Sequence, residues 1–433
     1  MSSKKKVAIV DAYHDSDRGG AGILAGVIDI LYDIEKQEES DIEIDVVYRF
    51  SDGDSRISDA DRHTNVRYRN IQTHGQTIST SWPNKSLVNY LYALKIILTS
   101  LVILVLPQLS QRSGVHAIRN ADYVISKGGH FYQFQDKNSL RAYFSAYHKL
   151  YTLLLTIRLQ KPLAIVSHSF GPFNNYAAKL LTRYVLHHAS YTSAREIRSL
   201  DIIEQLGGNQ YNLNADTAFA MNLETDEGAK KVVNENSLTE DEFAIFTARQ
   251  WDFPKYDRTE VPQLYDNYLS EMAEIADWLV AEEYVTNVAL VVHNNGTHQP
   301  HEDDSKPINS IYERMSHSDK AVIIDKDLSP QTQSELYGKA KVMIGTRMHS
   351  AIFSFVGGAP ALAISYTHKT EGIMAMLGLS RYVIQIGTMD TKKAKRRLKE
   401  IIKDRESIIE QSSERITTLQ KELISDIKLH LSQ

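Results

Sequence analysis

The stretch Gly345–Lys369, Gly-Thr-Arg-Met-His-Ser-Ala-Ile-Phe-Ser-Phe-Val-Gly-Gly-Ala-Pro-Ala-Leu-Ala-Ile-Ser-Tyr-Thr-His-Lys, constrains this chain more than any other. The apolar run Lys341–Ile344 before it predicts a short strand, entered from a helix over Thr332–Ala340 that Ser329-Pro330 caps. Ser350–Val356 predicts a helix closed by Gly357-Gly358, and Pro360 turns the chain into a second buried strand over Ala361–Ser365. Arg347 and His349 therefore fall on a strand-to-helix turn, where backbone N–H groups and the helix dipole favour an anion. Lys369 follows the end of the next strand, on the rim where open α/β sheets bind ligands. A guanidinium, an imidazole and an ammonium on one rim suit a small, highly charged anion.

Length and composition narrow the frame. A chain of 433 residues exceeds one ordinary core and implies two or three domains. With 42% hydrophobic and 24% charged residues it is globular, and a net charge of −5 gives no general drive toward nucleic acid. The absence of cysteine removes disulfides, thiolate nucleophiles and cysteine zinc sites. The N-terminus, Met1–Val10, lacks the apolar core of a secretion signal, so a cytoplasmic protein is expected. The apolar core of Leu87–Leu109 covers 11 residues, Ile96–Leu106, well short of the ~20 that span a bilayer. It reads as a buried helix, with an interfacial helix at the inner face of a membrane as the alternative.

Strand and helix signals alternate along the rest. Lys6–Asp11 predicts a strand, and the glycine-rich turn holding Gly19 and Gly20 leads to a helix over Ile23–Glu35. Ile42–Arg49 predicts the second strand, Ser51–Ser86 a long irregular loop, and Ala121–Ser126 a strand before the turn Lys127-Gly-Gly-His130-Phe131. A helix over Leu140–Leu159 and a strand over Leu163–Val166 precede the turn Ser167-His168-Ser-Phe-Gly-Pro-Phe173. Tyr191–Arg198 runs from strand to helix, its Arg195 and Glu196 read as structural, paired with each other or with neighbouring backbone; charged Glu224–Asp241 reads as a linker. Phe243–Thr247 predicts a strand ending at Arg249; Leu264–Glu282 is an amphipathic helix, and Val288–Val292 and Val322–Ile324 are strands. His298-Gln-Pro-His301 lacks zinc-helix spacing, and Asp303-Asp304 reads as a solvated loop beginning a helix rather than a Mg²⁺ pair, so no metal is expected. Lys392–Leu431 is one long helical segment or two.

Several of these segments resemble the polysaccharide pyruvyltransferases: the glycine turn, the Ser-x-Gly-Pro-Phe turn within Ser167–Phe173, Arg-Glu-x-x-Ser at 195–199, Asp-x-Ala-Phe at 216–219, and above all Arg347-x-His349 with the strand ending Tyr366-x-x-Lys369. The family usually shows a third glycine where His130 stands. The resemblance implies two doubly wound, Rossmann-like α/β domains facing a cleft, similar to GT-B glycosyltransferases. An acceptor-side domain over residues 1–223 and a donor-side domain over 240–390 are expected, with 391–433 as a helical segment bracing them. It implies transfer of the enolpyruvyl unit of phosphoenolpyruvate to hydroxyls of a polysaccharide or lipid-linked sugar, closing a pyruvate ketal without a cofactor. Arg249, Arg347 and Lys369 would then bind the donor, His349 would be the general acid with His168 the second candidate, and Gly19, Gly20 and His130 would lie on the acceptor side. A nucleotide-sugar glycosyltransferase and a non-catalytic glycan-binding protein are the rival readings. Peripheral membrane contact and a homo-oligomer stay open.

Overall fold

A computed structural model describes residues 4–12, 17–48, 65–71, 87–223, 225–296 and 302–432. The chain divides into two compact units. The first contains Ile23–Thr217 with the first strand and Glu422–Gln433; the second contains Ala218–Lys421 together with the first turn of the first helix, through Gly22.

In the first unit, β1 (Lys5–Ala12), β2 (Ile42–Tyr48), β3 (Val66–Asn70), β4 (Tyr123–Ser126), β5 (Gly129–Phe134), β6 (Leu163–Phe173), β7 (Tyr191–Ala194) and β8 (Tyr211–Leu213) form a parallel sheet. Its order is β3-β2-β1-β4-β6-β7-β8, with β5 paired to β6 beside the path. The order reverses between β1 and β4. Two expectations need correction. The region read as one irregular loop, 51–86, contains β3, whose arginines pair with Glu43 and Asp45 on β2; the loop residues on either side lie outside the described residues. The segment Ser167–Phe173 is not a turn but the continuation of β6, because β5 supplies it with a partner strand.

In the second unit, β9 (Phe243–Thr247), β10 (Asn287–Val291), β11 (Ala321–Ile324), β12 (Val342–Gly345), β13 (Ala361–Ser365) and β14 (Val383–Gln385) are also all parallel. Their order, β11-β10-β9-β12-β13-β14, is that of a doubly wound sheet whose switch point lies between β9 and β12. The four central strands are almost wholly buried, as apolar strands covered by helices on both faces must be. The charged stretch expected as a linker carries a helix, Glu227–Glu235, because Ala229, Val232 and Val233 give it a buried face. The helical end of the chain is two helices, Thr391–Lys403 and Arg405–His430.

Candidate active site

The switch point of the second sheet is built from its strand ends. In the β9–β12 register Thr247 faces Gly345, so Arg249 and Arg347 emerge two residues beyond neighbouring strands. The floor beneath them is cross-linked. Thr346 N–H donates to the Thr247 carbonyl at 3.3 Å, Tyr268 Oη donates to Thr346 Oγ1 at 3.4 Å, and Thr247 Oγ1 lies 2.9 Å from Ser350 Oγ. Arg347 is the N-cap of helix Met348–Gly357, with an extended backbone and no side-chain cap bond. Its carbonyl accepts from Ser350 Oγ and from the helix backbone, which fixes where its side chain starts.

Two carboxylates meet the arginines. Asp304 is fully buried and accepts from Arg347 Nε and Nη2, each at 2.7 Å, in a bidentate fork. Asn294 N–H holds the same carboxylate at 3.1 Å. Glu302 lies between the two guanidinium groups: Oε2 accepts from Arg347 Nη1 at 2.6 Å and Oε1 from Arg249 Nη2 at 3.2 Å. Burial alone would lower the Arg347 pKa, but the charges of Asp304 and Glu302 outweigh it and hold the group protonated. Asp304 was expected in a solvated loop; the ion pair with Arg347 buries it instead. Tyr366, just past β13, accepts from Arg249 Nη1 at 2.6 Å and, with Trp251, flanks the guanidinium plane.

His349 follows Arg347 by two residues and is half-buried. Its ring packs against the start of the first helix, Arg18–Glu38. A Cβ on Gly19 would fall within 2.6 Å of the ring's Cε1 and Cγ. Gly19 therefore sits beside His349, and Gly20 follows it in the same buried first turn. Close to Arg347 and His349, His293 is fully buried and donates or accepts at Nδ1 with Tyr337 Oη at 3.0 Å. Burial, with Arg347 and His349 adding to it, pushes its pKa well down and leaves it neutral. Lys369 is the second residue of helix His368–Met376, at the same edge of the sheet and partly buried.

The remaining candidates belong to the first unit. His130 is exposed on β5, a strand residue rather than part of a turn. His168 is only 1% exposed and stacks on Tyr132 at 4.5 Å. Ser126 Oγ gives its proton to Asp11 at 2.9 Å, so the 3.0 Å contact to His168 Nε2 makes the imidazole the donor. Burial drives the His168 pKa down to about 3, Asp11 opposing, and the ring is neutral near pH 7. Arg195 and Glu196 are likewise buried; they pair with each other at 3.8 Å and are tied more closely to Asp216, Ser169 and Ser199. Sequence reasoning missed Glu302, Asp304 and Tyr366 as members of the rim. Only Tyr366 had a local signal, its place in the Tyr-x-x-Lys strand end.

A family model described as polysaccharide pyruvyl transferase matches residues 39–368. The chain belongs to that family. The pyruvyl transferase match takes in Arg249, Arg347 and His349 and stops just before Lys369; Gly19 and Gly20 precede it. Family membership makes the chain a polysaccharide pyruvyltransferase enzyme. It is 25% identical over 386 residues to the amylovoran biosynthesis protein AmsJ of Erwinia amylovora, with 86% of each chain covered. Among solved structures it is similar to a UDP-GlcNAc 2-epimerase from Methanocaldococcus jannaschii, with a TM-score of 0.56 at 13% identity, covering 92% of this chain and 93% of that one. It is also similar to a UDP-glucosyltransferase from Polygonum tinctorium, with a TM-score of 0.53 at 9% identity and 100% of both chains covered. At such identities the likeness is one of fold, two parallel-sheet α/β domains of the GT-B type. Among the described residues no helix is long and apolar enough to cross a membrane.

Proposed function

We propose that this enzyme moves the enolpyruvyl unit of phosphoenolpyruvate onto the hydroxyls of a polysaccharide or lipid-linked sugar and closes a pyruvate ketal. The observation that carries the reading is the pair Arg249 and Arg347 at the switch point, with His349 two residues further on. Phosphoenolpyruvate bears a phosphate and a carboxylate close together, and paired guanidinium groups meet such oxygens with directed, charge-assisted bonds. Asp304 fixes the Nε–Nη2 edge of Arg347, so the edge turned toward Arg249 is the one offered to the donor. Lys369 adds a point charge from the same edge. These cations supply the charge the donor needs, and the reading calls for no cofactor. Gly19 and Gly20 are then the acceptor-side backbone beside His349, and His130 is read as an acceptor-side residue on the strength of the family resemblance alone.

In this reading His349 protonates the methylene carbon, which leaves a cation-like centre that a sugar hydroxyl oxygen attacks as it loses its proton. The bond to phosphate breaks with its electron pair leaving on phosphate, a neighbouring hydroxyl oxygen adds to the same carbon and closes the ring, and its proton passes to the departing phosphate. His168, neutral and enclosed, keeps a positioning role for the first unit's rim rather than supplying that proton. The similarity to AmsJ, an amylovoran biosynthesis protein, together with the polysaccharide named in the family description, supports a glycan acceptor.

Incubation with phosphoenolpyruvate and oligosaccharide acceptors, followed by mass spectrometry, should reveal the pyruvyl increment and free phosphate. His349→Gln should lower kcat by about 10²–10⁴-fold while phosphoenolpyruvate affinity changes little. Binding of UDP in place of phosphoenolpyruvate, with no pyruvyl product, would transfer the site to the glycosyltransferase reading.

A further inference from the structure

Over residues 94–105 the helix Leu87–Val105 is apolar on two opposite faces, and only one of them packs against the described residues. Ile96, Ser100 and Ile103 turn inward, Ile103 packing with Val115, Ile118 and Tyr151, and Ser100 Oγ lies 3.0 Å from Tyr147 Oη. The other face and the turn that follows present Leu94, Leu98, Leu101, Val102, Val105 and Leu109, exposed by 41% to 66%. Their spacing is that of one helical stripe. Scattered exposed leucines are ordinary, but a contiguous aliphatic stripe on one element marks a surface that something covers.

The charge around it says what. Residues 62–121 contain seven Lys and Arg and no Asp or Glu, in a chain whose net charge is −5. Arg67 and Arg69 are spent on Glu43 and Asp45. Lys95, Arg112 and Arg119, the others described, lie along the stripe or at its end, where Arg158 joins them from outside the segment. Lys95 is on the helix itself and exposed. Arg158, exposed, donates to the Val105 carbonyl at 3.1 Å, and Arg119 donates to the Gln108 carbonyl at 3.3 Å. Arg112 follows within the same turn region. Aliphatic side chains bordered by cations, with no acid in the segment, complement a layer of acyl chains beneath anionic headgroups. A protein partner's apolar groove would match the stripe but gives no reason for a 60-residue segment stripped of acids.

We propose that the exposed face of Leu94–Leu109 is a docking surface for an anionic lipid bilayer, with the helix lying in the plane of the interface. It inserts its leucines and valines to the headgroup boundary and sets Lys95, Arg112, Arg119 and Arg158 at the phosphates. The inference stands apart from the chemistry assigned to the second sheet and holds for any reaction carried out there.

Flotation of the full chain with phosphatidylcholine vesicles containing about one third phosphatidylglycerol tests it. The protein should float with these vesicles, and about tenfold less with phosphatidylcholine alone or at high salt. Leu98→Glu with Val102→Glu should abolish flotation, and Lys95→Glu with Arg158→Glu should remove the preference for the anionic lipid. All four positions are exposed, so circular dichroism should match the parent. Failure of the parent to float, or flotation untouched by the glutamates, overturns the proposal. So does a parent that sediments as a dimer and becomes a monomer in Leu98→Glu/Val102→Glu, since the stripe would then belong to a second copy.

Discussion

Glu302 places one carboxylate across two guanidinium groups, the geometry that a substrate carboxylate or phosphate would adopt on the same pair. Asp304 and Glu302 divide the work. The first is fully buried and bidentate, whereas the second makes one side-chain bond to each arginine and is 28% exposed at its side chain. An anion entering between Arg249 and Arg347 competes with Glu302 and leaves Asp304 in place. Glu302→Gln should therefore bind phosphoenolpyruvate, or inorganic phosphate as a simpler probe, about tenfold more tightly by calorimetry. Weaker binding would mean that Glu302 serves chiefly to aim the arginines. Gly19 carries a second consequence. Alanine is favoured over glycine in a helix by up to about 1 kcal/mol, yet a methyl group here would meet the His349 ring, and overpacking costs about 1–3 kcal/mol. Gly19→Ala should lower turnover by about tenfold or more with a smaller change in donor affinity, read from kcat and KM separately. Arg249, Arg347 and His349 were legible because a cation just past an apolar run marks a strand end. Asp304 and Glu302 were not. A carboxylate in a polar loop looks solvated until the arginine that buries it arrives from a strand far along the chain.

Elements that carry their own boundaries were read closely. β9 and β13 have the predicted limits, since each is a short apolar run between turn residues. Helix Pro330–Gly338 begins where Ser329 accepts from Thr332 N–H at 3.1 Å, a capping signal visible in the sequence. β6 shows the opposite case. Its Gly171-Pro172 looks like a turn, but pairing with β5 carries the strand to Phe173, and nothing local announces that partner. Helix Val261–Ala281 holds a titratable group that the apolar pattern hides. Glu271 has its pKa raised to about 7, first by burial and then by Glu274 and Asp390, and among the described residues its Oε2 has no hydrogen-bond partner. Its folded value lies above the ordinary 4.5, so the native state holds the proton more tightly. The carboxyl then costs little at pH 4, destabilises progressively as the pH rises from about 4.5 to about 7, and carries its full cost above that. Glu271→Gln should leave the melting temperature unchanged at pH 4 and raise it at pH 8, as scanning calorimetry at the two values would show.

At the scale of the whole molecule, alternation of strand and helix was enough to read two doubly wound units, because each buried parallel strand needs a crossover helix. What alternation could not reveal is how the chain is shared between them. The first unit is completed by Glu422–Gln433. Tyr191 Oη donates to Asp426 at 2.5 Å, Asn214 Nδ2 donates to the same carboxylate at 2.9 Å, and Lys5 Nζ reaches the Leu431 carbonyl at 3.2 Å. Leu423, Ile427 and Leu431 are buried there, and each such side chain contributes roughly 1.5–3 kcal/mol. Removing Glu422–Gln433 should speed hydrogen exchange in β1, β4 and β7 while leaving β9–β13 protected. The reverse loan is the first helical turn, Gly19 included, which groups with the second unit although it is made before almost all of that unit. During synthesis, then, an early turn must wait for His349, and an early sheet must wait for a segment that leaves the ribosome long after it. No single cut in the sequence would yield the two halves as independent proteins, and a nascent chain stalled midway would display both of them unfinished.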